Sequence, residues 1–369
     1  SKVLERLQRL GIGLAATTAL TVIANPAFAQ AQANSAQFNE IIVTARSQGE
    51  SLMDVPVAVT ALTAEDVARY ATTDLVKLAG VRPDVEIYTG GSKTGAAFVV
   101  RGVGTTADTA GVESSVSIAI DSIQTLRPRI AMEGLFDIAQ VEIMKGPQAL
   151  FFGKNASAGV VSIKTANPTD ELSGFVRGGY EFEAHERYTE AAISIPITDT
   201  LKTRFAGRYS KMRGWVKNIS VVSPDPQNPD VILPAAHHRY NGMESMGGRV
   251  TVLWEPSSNY SANFKANFSG TNGTAHANAE VLCPSGKAIS LGFFEEPLID
   301  CKLNGVTAAN DLPPEYVKVP TGKGFDNRYD NGIDQAESDS MLLSLEQNLD
   351  LGQFSIRSNT GYTKSSFAY

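Results

Sequence analysis

YSANFKANFS, residues 260–269, switches chemistry at every step. Tyr260, Ala262, Phe264, Ala266 and Phe268 fall on one side, and Ser261, Asn263, Lys265, Asn267 and Ser269 on the other. Successive side chains of a strand point to opposite faces, so this segment is a strand with one greasy and one wet face. Residues 201–210 repeat the pattern, setting Leu201, Thr203, Phe205, Gly207 and Tyr209 against Lys202, Arg204, Ala206, Arg208 and Ser210. Phe354, Ile356 and Tyr362 alternate with Ser355, Arg357, Asn359 and Thr363. A soluble sandwich gives the same alternation, but runs of about ten residues suit a tilted membrane strand better than the usual five or six.

Working outward, the pattern predicts strands over 172–182, 188–197, 201–210, 245–254, 260–269, 337–347 and 353–363. The links TDT, EPSSN and the turn at Asp350, Leu351 and Gly352 are short, whereas 211–244 and 270–336 are long. Short links at one rim and long ones at the other are the habit of membrane barrels, although the short link 183–187 departs from it. No segment after the first thirty residues reaches the ~18 apolar residues of a membrane helix, and a closed barrel is the other solution that satisfies every backbone group in lipid. Seven strands do not close, and an open sheet leaves two bare edges. The chain therefore reads as the N-terminal part of a longer protein.

Of the 369 residues 43% are hydrophobic, and 32 basic residues face 39 acidic ones. No basic block rises above that balance, which argues against a nucleic-acid partner. Lys2, Arg6 and Arg9 precede an apolar run over 10–24 and a small-residue cut site ending at Ala29. This is the pattern of a secretory leader over 1–29, with a buried N-terminal helix as the alternative. Cys283 and Cys301 enclose a short loop. In an oxidising compartment a bridge between them would contribute ~3 kcal/mol, with two free thiols as the alternative.

Residues 50–168 read as a compact α+β module. DVPVAVTALT is a strand running into Thr63, a helix cap with Glu65 and Asp66 in the first turn. A second short helix is predicted over 75–79, stopped by Gly80. Strands are expected at 98–100, 115–120, 123–125, 141–144 and 160–164, with a hairpin at Asp121 and Ser122. Arg101 and Glu142 stand among apolar neighbours, where an internal ion pair between them is plausible. Ahead of the module lies a short extended segment, Glu40, Ile41, Ile42, Val43, Thr44 and Ala45, between polar stretches and without an evident local partner. Either it is a first strand of the module or it adds to the sheet edge of another protein.

At this point a resemblance carries more than the pattern does. VEIMKGPQALFFGKNASAGVVSIKT (141–165), FVVRGVG (98–104) and SVSIAIDSIQ (115–124) resemble the plug domain of TonB-dependent outer-membrane receptors. SGFVRGGYEFE and AGRYSKMRGWVKN resemble the first barrel strands of that family, and residues 40–45 its TonB box. The resemblance implies an α+β plug (50–168) followed by an antiparallel transmembrane β-barrel (169–369) of 22 strands when whole, with a periplasmic segment (30–49) carrying the box. It implies a plug motif formed by Arg101, Gly102, Glu142, Lys145, Gly146, Pro147, Gly153, Asn155 and Gly159. It further implies an outer-membrane location, lipid around the barrel, TonB as partner, and a scarce small nutrient as cargo. The cargo expected first is a ferric siderophore, with a glycan, cobalamin or an aromatic compound as alternatives. Ser122 and Ala149 depart from the family's usual glycines.

Rival functions lack their signatures. A passive porin would have neither plug nor box, a signal transducer would carry a further domain before the box, and a secreted β-rich binding or adhesion protein would carry repeats. The four histidines, His185, His237, His238 and His276, fall in predicted loops, and Asp326, Asp330, Asn331 and Asp334 lack the order of a calcium loop. No metal, cofactor or catalytic residue is expected. Arg204, Arg208 and Lys265, on the wet faces of the barrel strands, are expected to hold acidic groups of the plug, attract anionic cargo, or only line a wet interior.

Overall fold

A computed structural model describes residues 42–43, 50–51, 57–69, 85–89, 96–105, 114–125, 135–225, 228–235, 239–273, 302, 304–307, 310 and 336–368. The expected leader, the helix over 75–79, both cysteines, His237, His238, His276, the acidic run at 326–334, and Glu40, Ile41, Thr44 and Ala45 lie outside them.

Strand β1 (Ile42–Val43) pairs antiparallel with β2 (Glu50–Ser51), so the short segment does have a local partner. The hydrophobic alternation of β3 (Val59–Thr63) ends where α1 (Ala64–Arg69) begins. Thr63 caps that helix: the Asp66 N–H donates to its Oγ1 (3.3 Å), and its own N–H donates to Asp66 Oδ2 (3.1 Å). Strands β4 (Val85–Thr89), β5 (Ala96–Val100) and β6 (Val103–Gly104) form an antiparallel sheet. The rest of the module is β7 (Val116–Ile120), β8 (Ile123–Thr125), β9 (Ile138–Lys145), α2 (Ala149–Phe152) and β10 (Gly159–Thr165). A five-stranded sheet runs in the order β3-β9-β10-β7-β8, with β10 parallel to β7. Leu62, Phe98, Ile118, Val141, Ile143 and Ile163 fill its core, and β-branched residues dominate because both faces of the central strands are covered.

The long strands follow. They are β11 (Ser173–Glu181), β12 (Glu186–Thr198) and β13 (Leu201–Met212), then, beyond the short β14 (Val216–Asn218), β15 (Ser223–Pro224), β16 (Ile232–Leu233) and β17 (Arg239–Tyr240), β18 (Met243–Ser257) and β19 (Tyr260–Gly273). After β20 (Val306–Thr307) come β21 (Ala336–Asp350) and β22 (Ser355–Ala368). The seven long strands form one antiparallel sheet in the order β11-β12-β13-β18-β19-β21-β22, each beside its predecessor in the meander. All seven predicted strands are present, and β18 and β21 reach 15 residues each. The link after β13 holds structure of its own, for β14 pairs with β17 and, in parallel, with β20.

The two faces of this wall differ as the alternation requires. Val176, Ile193, Phe205, Trp254, Phe264 and Ile356 stand exposed on one face, while Glu190, Arg204, Arg249, Lys265 and Ser344 are buried on the other. Trp254 meets Tyr260 edge to face (5.9 Å between centroids) at the short-turn rim, in the manner of the aromatic girdle of a membrane barrel. The apolar face suits lipid, and the polar face receives the module.

Candidate functional site

The polar face of the wall grips the plug-like module at two places. At the first, Asp137 stands just before β9 with φ 51°, a left-handed conformation that Asp adopts more readily than most residues. Arg204 on β13 donates to both of its carboxylate oxygens, from Nε to Oδ2 (2.8 Å) and from Nη2 to Oδ1 (2.5 Å). Its third nitrogen donates to Ser194 Oγ (2.7 Å) on β12. The Asp137 N–H donates to Glu190 Oε1 (3.0 Å), which also takes a bond from Arg177 Nη2 (2.7 Å). From β18, Arg249 Nη1 donates to the carbonyls of Phe136 (3.0 Å) and Asp137 (3.2 Å), and its guanidinium lies over the Phe136 ring at 4.6 Å. Three wall strands thus converge on one short plug segment. The fit is tight: a β-carbon at Gly247 would come within 2.5 Å of the Phe136 ring, so no larger residue fits there without a shift.

At the second place the β7–β8 hairpin turns on Asp121 and Ser122, with φ of 47° and 67°. Two positive values in a two-residue loop match the twist of the flanking strands. The turn presents the Asp121 carboxylate to the wall. Lys265 Nζ on β19 donates to Asp121 Oδ1 (2.9 Å), to Thr165 Oγ1 (2.9 Å) and to the Thr165 carbonyl (3.0 Å). The Thr165 N–H and Oγ1 also donate to Asp121 (3.0 and 2.8 Å). Burial pushes the Asp121 carboxyl up, but the Lys265 ammonium, the Arg249 guanidinium and the Thr165 N–H outweigh it, and the carboxyl sits below its ordinary range. Nearby, Gly361 on β22 lies so close to Ile123 that a β-carbon there would come within 2.5 Å of its side chain.

Two of the three basic residues singled out on the wet face therefore hold plug acids. The third does not: Arg208 stays within the wall, near Glu186 (3.4 Å) and Glu190 (3.7 Å), with its guanidinium over Tyr188. The plausible Arg101–Glu142 pair does not form. Arg101 (φ 52°) and Gly102 (φ 78°) make the exposed turn between β5 and β6, while buried Glu142 pairs with Lys164 of the adjacent strand (3.2 Å). The Lys145 N–H donates to the Ala58 carbonyl (3.0 Å) and the Gly146 N–H to that of Ala158 (3.0 Å), framing the turn that Pro147 enters. Gly146, Gly153 and Asn155 all take positive φ. A β-carbon at Gly159 would meet the Met144 carbonyl at 2.6 Å. Ala149 simply opens α2, so no glycine is needed there. Val43 is fully buried against Met144, Ala156 and Val160, with Phe152 alongside.

Asp121 as a charge partner, Asp137, Glu190 and Arg249 were missed by sequence reasoning. The signal for Glu190 and Arg249 was available, since both fall on the wet parity of their strands.

Residues 51–160 match the family model described as the TonB-dependent receptor plug domain. Over 177 residues, 48% of this chain, the sequence is 28% identical to the pesticin receptor of Yersinia pestis, and the match takes in 26% of that receptor. The chain thus spans about a quarter of the length of the curated receptors it matches. The fold is similar to that of the ferric yersiniabactin uptake receptor FyuA from Yersinia pestis (TM-score 0.59, 16% identity, 84% of this chain and 41% of that one). It is similar also to the siderophore receptor PiuA from Acinetobacter baumannii (TM-score 0.57, 14% identity, 86% and 38%). At these identities the likeness is one of fold.

Proposed function

From the match of residues 51–160 to the TonB-dependent receptor plug domain, we propose that this chain is part of a TonB-dependent receptor that serves active import of a scarce nutrient, foremost a ferric siderophore, across the bacterial outer membrane. The leader over 1–29 directs export, 30–49 reaches into the periplasm, 50–168 forms the plug, and 169–369 begins a barrel closed by further strands. The observation that carries this reading is the plug's seat. Asp137 and Asp121 are tied to the wall by buried charge pairs, and leaving either charge buried without its partner costs several kcal/mol, so the seated plug is the favoured state. A stoppered barrel of this kind needs work to open.

The work arrives through the box. Glu40, Ile41, Ile42, Val43, Thr44 and Ala45 pair with the periplasmic domain of TonB by strand addition, main-chain bonds giving the affinity. Val43 leaves its seat against Met144 and Val160 when TonB takes hold. Cargo binding biases that exchange, which is what couples the outer side to the inner one. The likeness in fold to the ferric yersiniabactin uptake receptor and to the siderophore receptor PiuA supports an iron-chelate cargo for this chain.

The test is deletion of the gene in its own host, followed by uptake of radiolabelled ferric iron from iron-starved spent medium and by growth on candidate carbon sources. Loss of iron uptake alone is expected. Iron uptake equal to the parent's with a defect on one carbon source moves the cargo to a glycan or aromatic compound, and equality on every source defeats nutrient import.

A further inference from the structure

The two grips on the plug differ in kind. The Asp137 grip is dry and multiple: a two-pronged Arg204, two Arg249 bonds to main-chain carbonyls, Glu190 on the N–H, and the Phe136 ring pressed against Gly247. The space left beside Phe136 and Arg249 is only about 30 Å³. The Asp121 grip has one charged wall contact, Lys265, beside the packing of Ile123 on Gly361, and borders a cavity of about 320 Å³ between the plug and β19, β21 and β22. Asp121, Phe152, Asn263, Lys265, Ser344 and Asn359 are among its lining residues, mostly polar. The Asn263 Oδ1 is buried there without a hydrogen-bond partner. Amide and hydroxyl walls of this kind favour water or a hydrogen-bonding solute.

The cavity also adjoins the place where the box is seated. Phe152 packs in the cluster around Val43 and at the same time lines the cavity. The Gln124 side-chain amide, also on the lining, donates to the Phe152 carbonyl. Val43 is thus linked through Phe152 to the wet side of the plug.

Building on the reading of the chain as an energised importer, we propose that the plug swings about the Asp137 grip and opens on the Asp121 side. Polar cargo then passes between the plug and the β19–β22 wall through the enlarged cavity. Lys265 acts as the latch, and Arg204 with Arg249 as the hinge that retains the plug. The route suits a hydrophilic solute rich in hydroxyl, amide or carboxylate groups, for which the lining offers both donors and acceptors.

The test uses the full-length receptor in iron-starved cells of its own host, supplied with spent medium charged with ferric chloride. Gly361 and Ile123 are close enough for a disulfide between Ile123→Cys and Gly361→Cys. Oxidation of that pair, verified by mobility shift, is expected to stop iron uptake, and reductant to restore it. Two single variants read the opening directly. Ser344→Cys lines the cavity, and Thr251→Cys replaces a fully buried residue paired with Arg204 at the dry grip. An impermeant maleimide is expected to label Ser344→Cys during uptake and to leave Thr251→Cys unlabelled. Undiminished uptake through the oxidised tether, or labelling of Thr251→Cys as fast as Ser344→Cys, overturns the proposal. Absence of iron uptake by the untethered parent overturns instead the importer reading on which it rests.

Discussion

Asp137 of the plug and Arg204 of the barrel wall, 67 residues apart in the chain, meet through two hydrogen bonds of 2.8 and 2.5 Å. Two-pronged pairing fixes direction as well as charge. It also creates a liability, because neither partner is left in water: the side chains are 3% and 10% exposed. Replacing Arg204 by Met is expected to cost ~3–5 kcal/mol of plug seating, since it strands a buried carboxylate. Asp137→Asn keeps the left-handed backbone and removes the charge. The double variant is expected to cost less than the sum of the two singles, as for any directly coupled pair. Denaturant unfolding of the full-length receptor measures all three.

Gly247 and Gly248 are adjacent on β18 and differ only in the face they present. A β-carbon at Gly247 meets the Phe136 ring at 2.5 Å, whereas at Gly248 nothing lies within 4 Å. Gly247→Ala is expected to push the plug off its seat and raise ion conductance in planar bilayers. Gly248→Ala is expected to leave conductance unchanged. Equal effects would mean that the plug does not rest on this strand.

Acid acts on the second grip with a definite sign. The Asp121 carboxyl is held below its ordinary range in the folded protein, so its contribution is complete above the unfolded value of ~3.9 and is lost as pH falls through the lower folded value. Plug stability attributable to Asp121 is therefore expected to be flat from neutral pH to about 5 and to fall only in stronger acid. The comparison that isolates it is wild type against Asp121→Asn, whose stability difference should shrink below that range.

Ser122 holds a φ of 67° where glycine would sit without strain. Ser122→Gly is expected to stabilise the plug by roughly 0.5–1 kcal/mol, the left-handed penalty less the extra entropy of an unfolded glycine. Asp121→Gly at the neighbouring turn position should do the opposite, because it removes the Lys265 contact.

The wall was legible in the sequence because period-two alternation is a local signal that two chemically unlike faces impose on every long strand. Lys265 and Arg204 were legible as wet-face cations for the same reason. Their partners were not. Asp121 reads as a turn residue and Asp137 as a charge in a loop, and nothing local says that a segment far along the chain will meet them. Glu142 shows the converse error: its apolar neighbours suggested Arg101, but the β9–β10 register sets it opposite Ser162 and within diagonal reach of Lys164. The short segment around Val43 looked partnerless because its partner, Glu50 and Ser51, carries no strand signature of its own.

Opening of the plug is proposed to depend on force delivered through residues 40–45. The measurement that bears on it most directly is uptake of radiolabelled ferric iron, alongside surface binding of the same cargo, by host cells carrying the full-length receptor with residues 41–44 excised. Binding at the parental level with uptake abolished is the expected result. Uptake at the parental rate would contradict the claim.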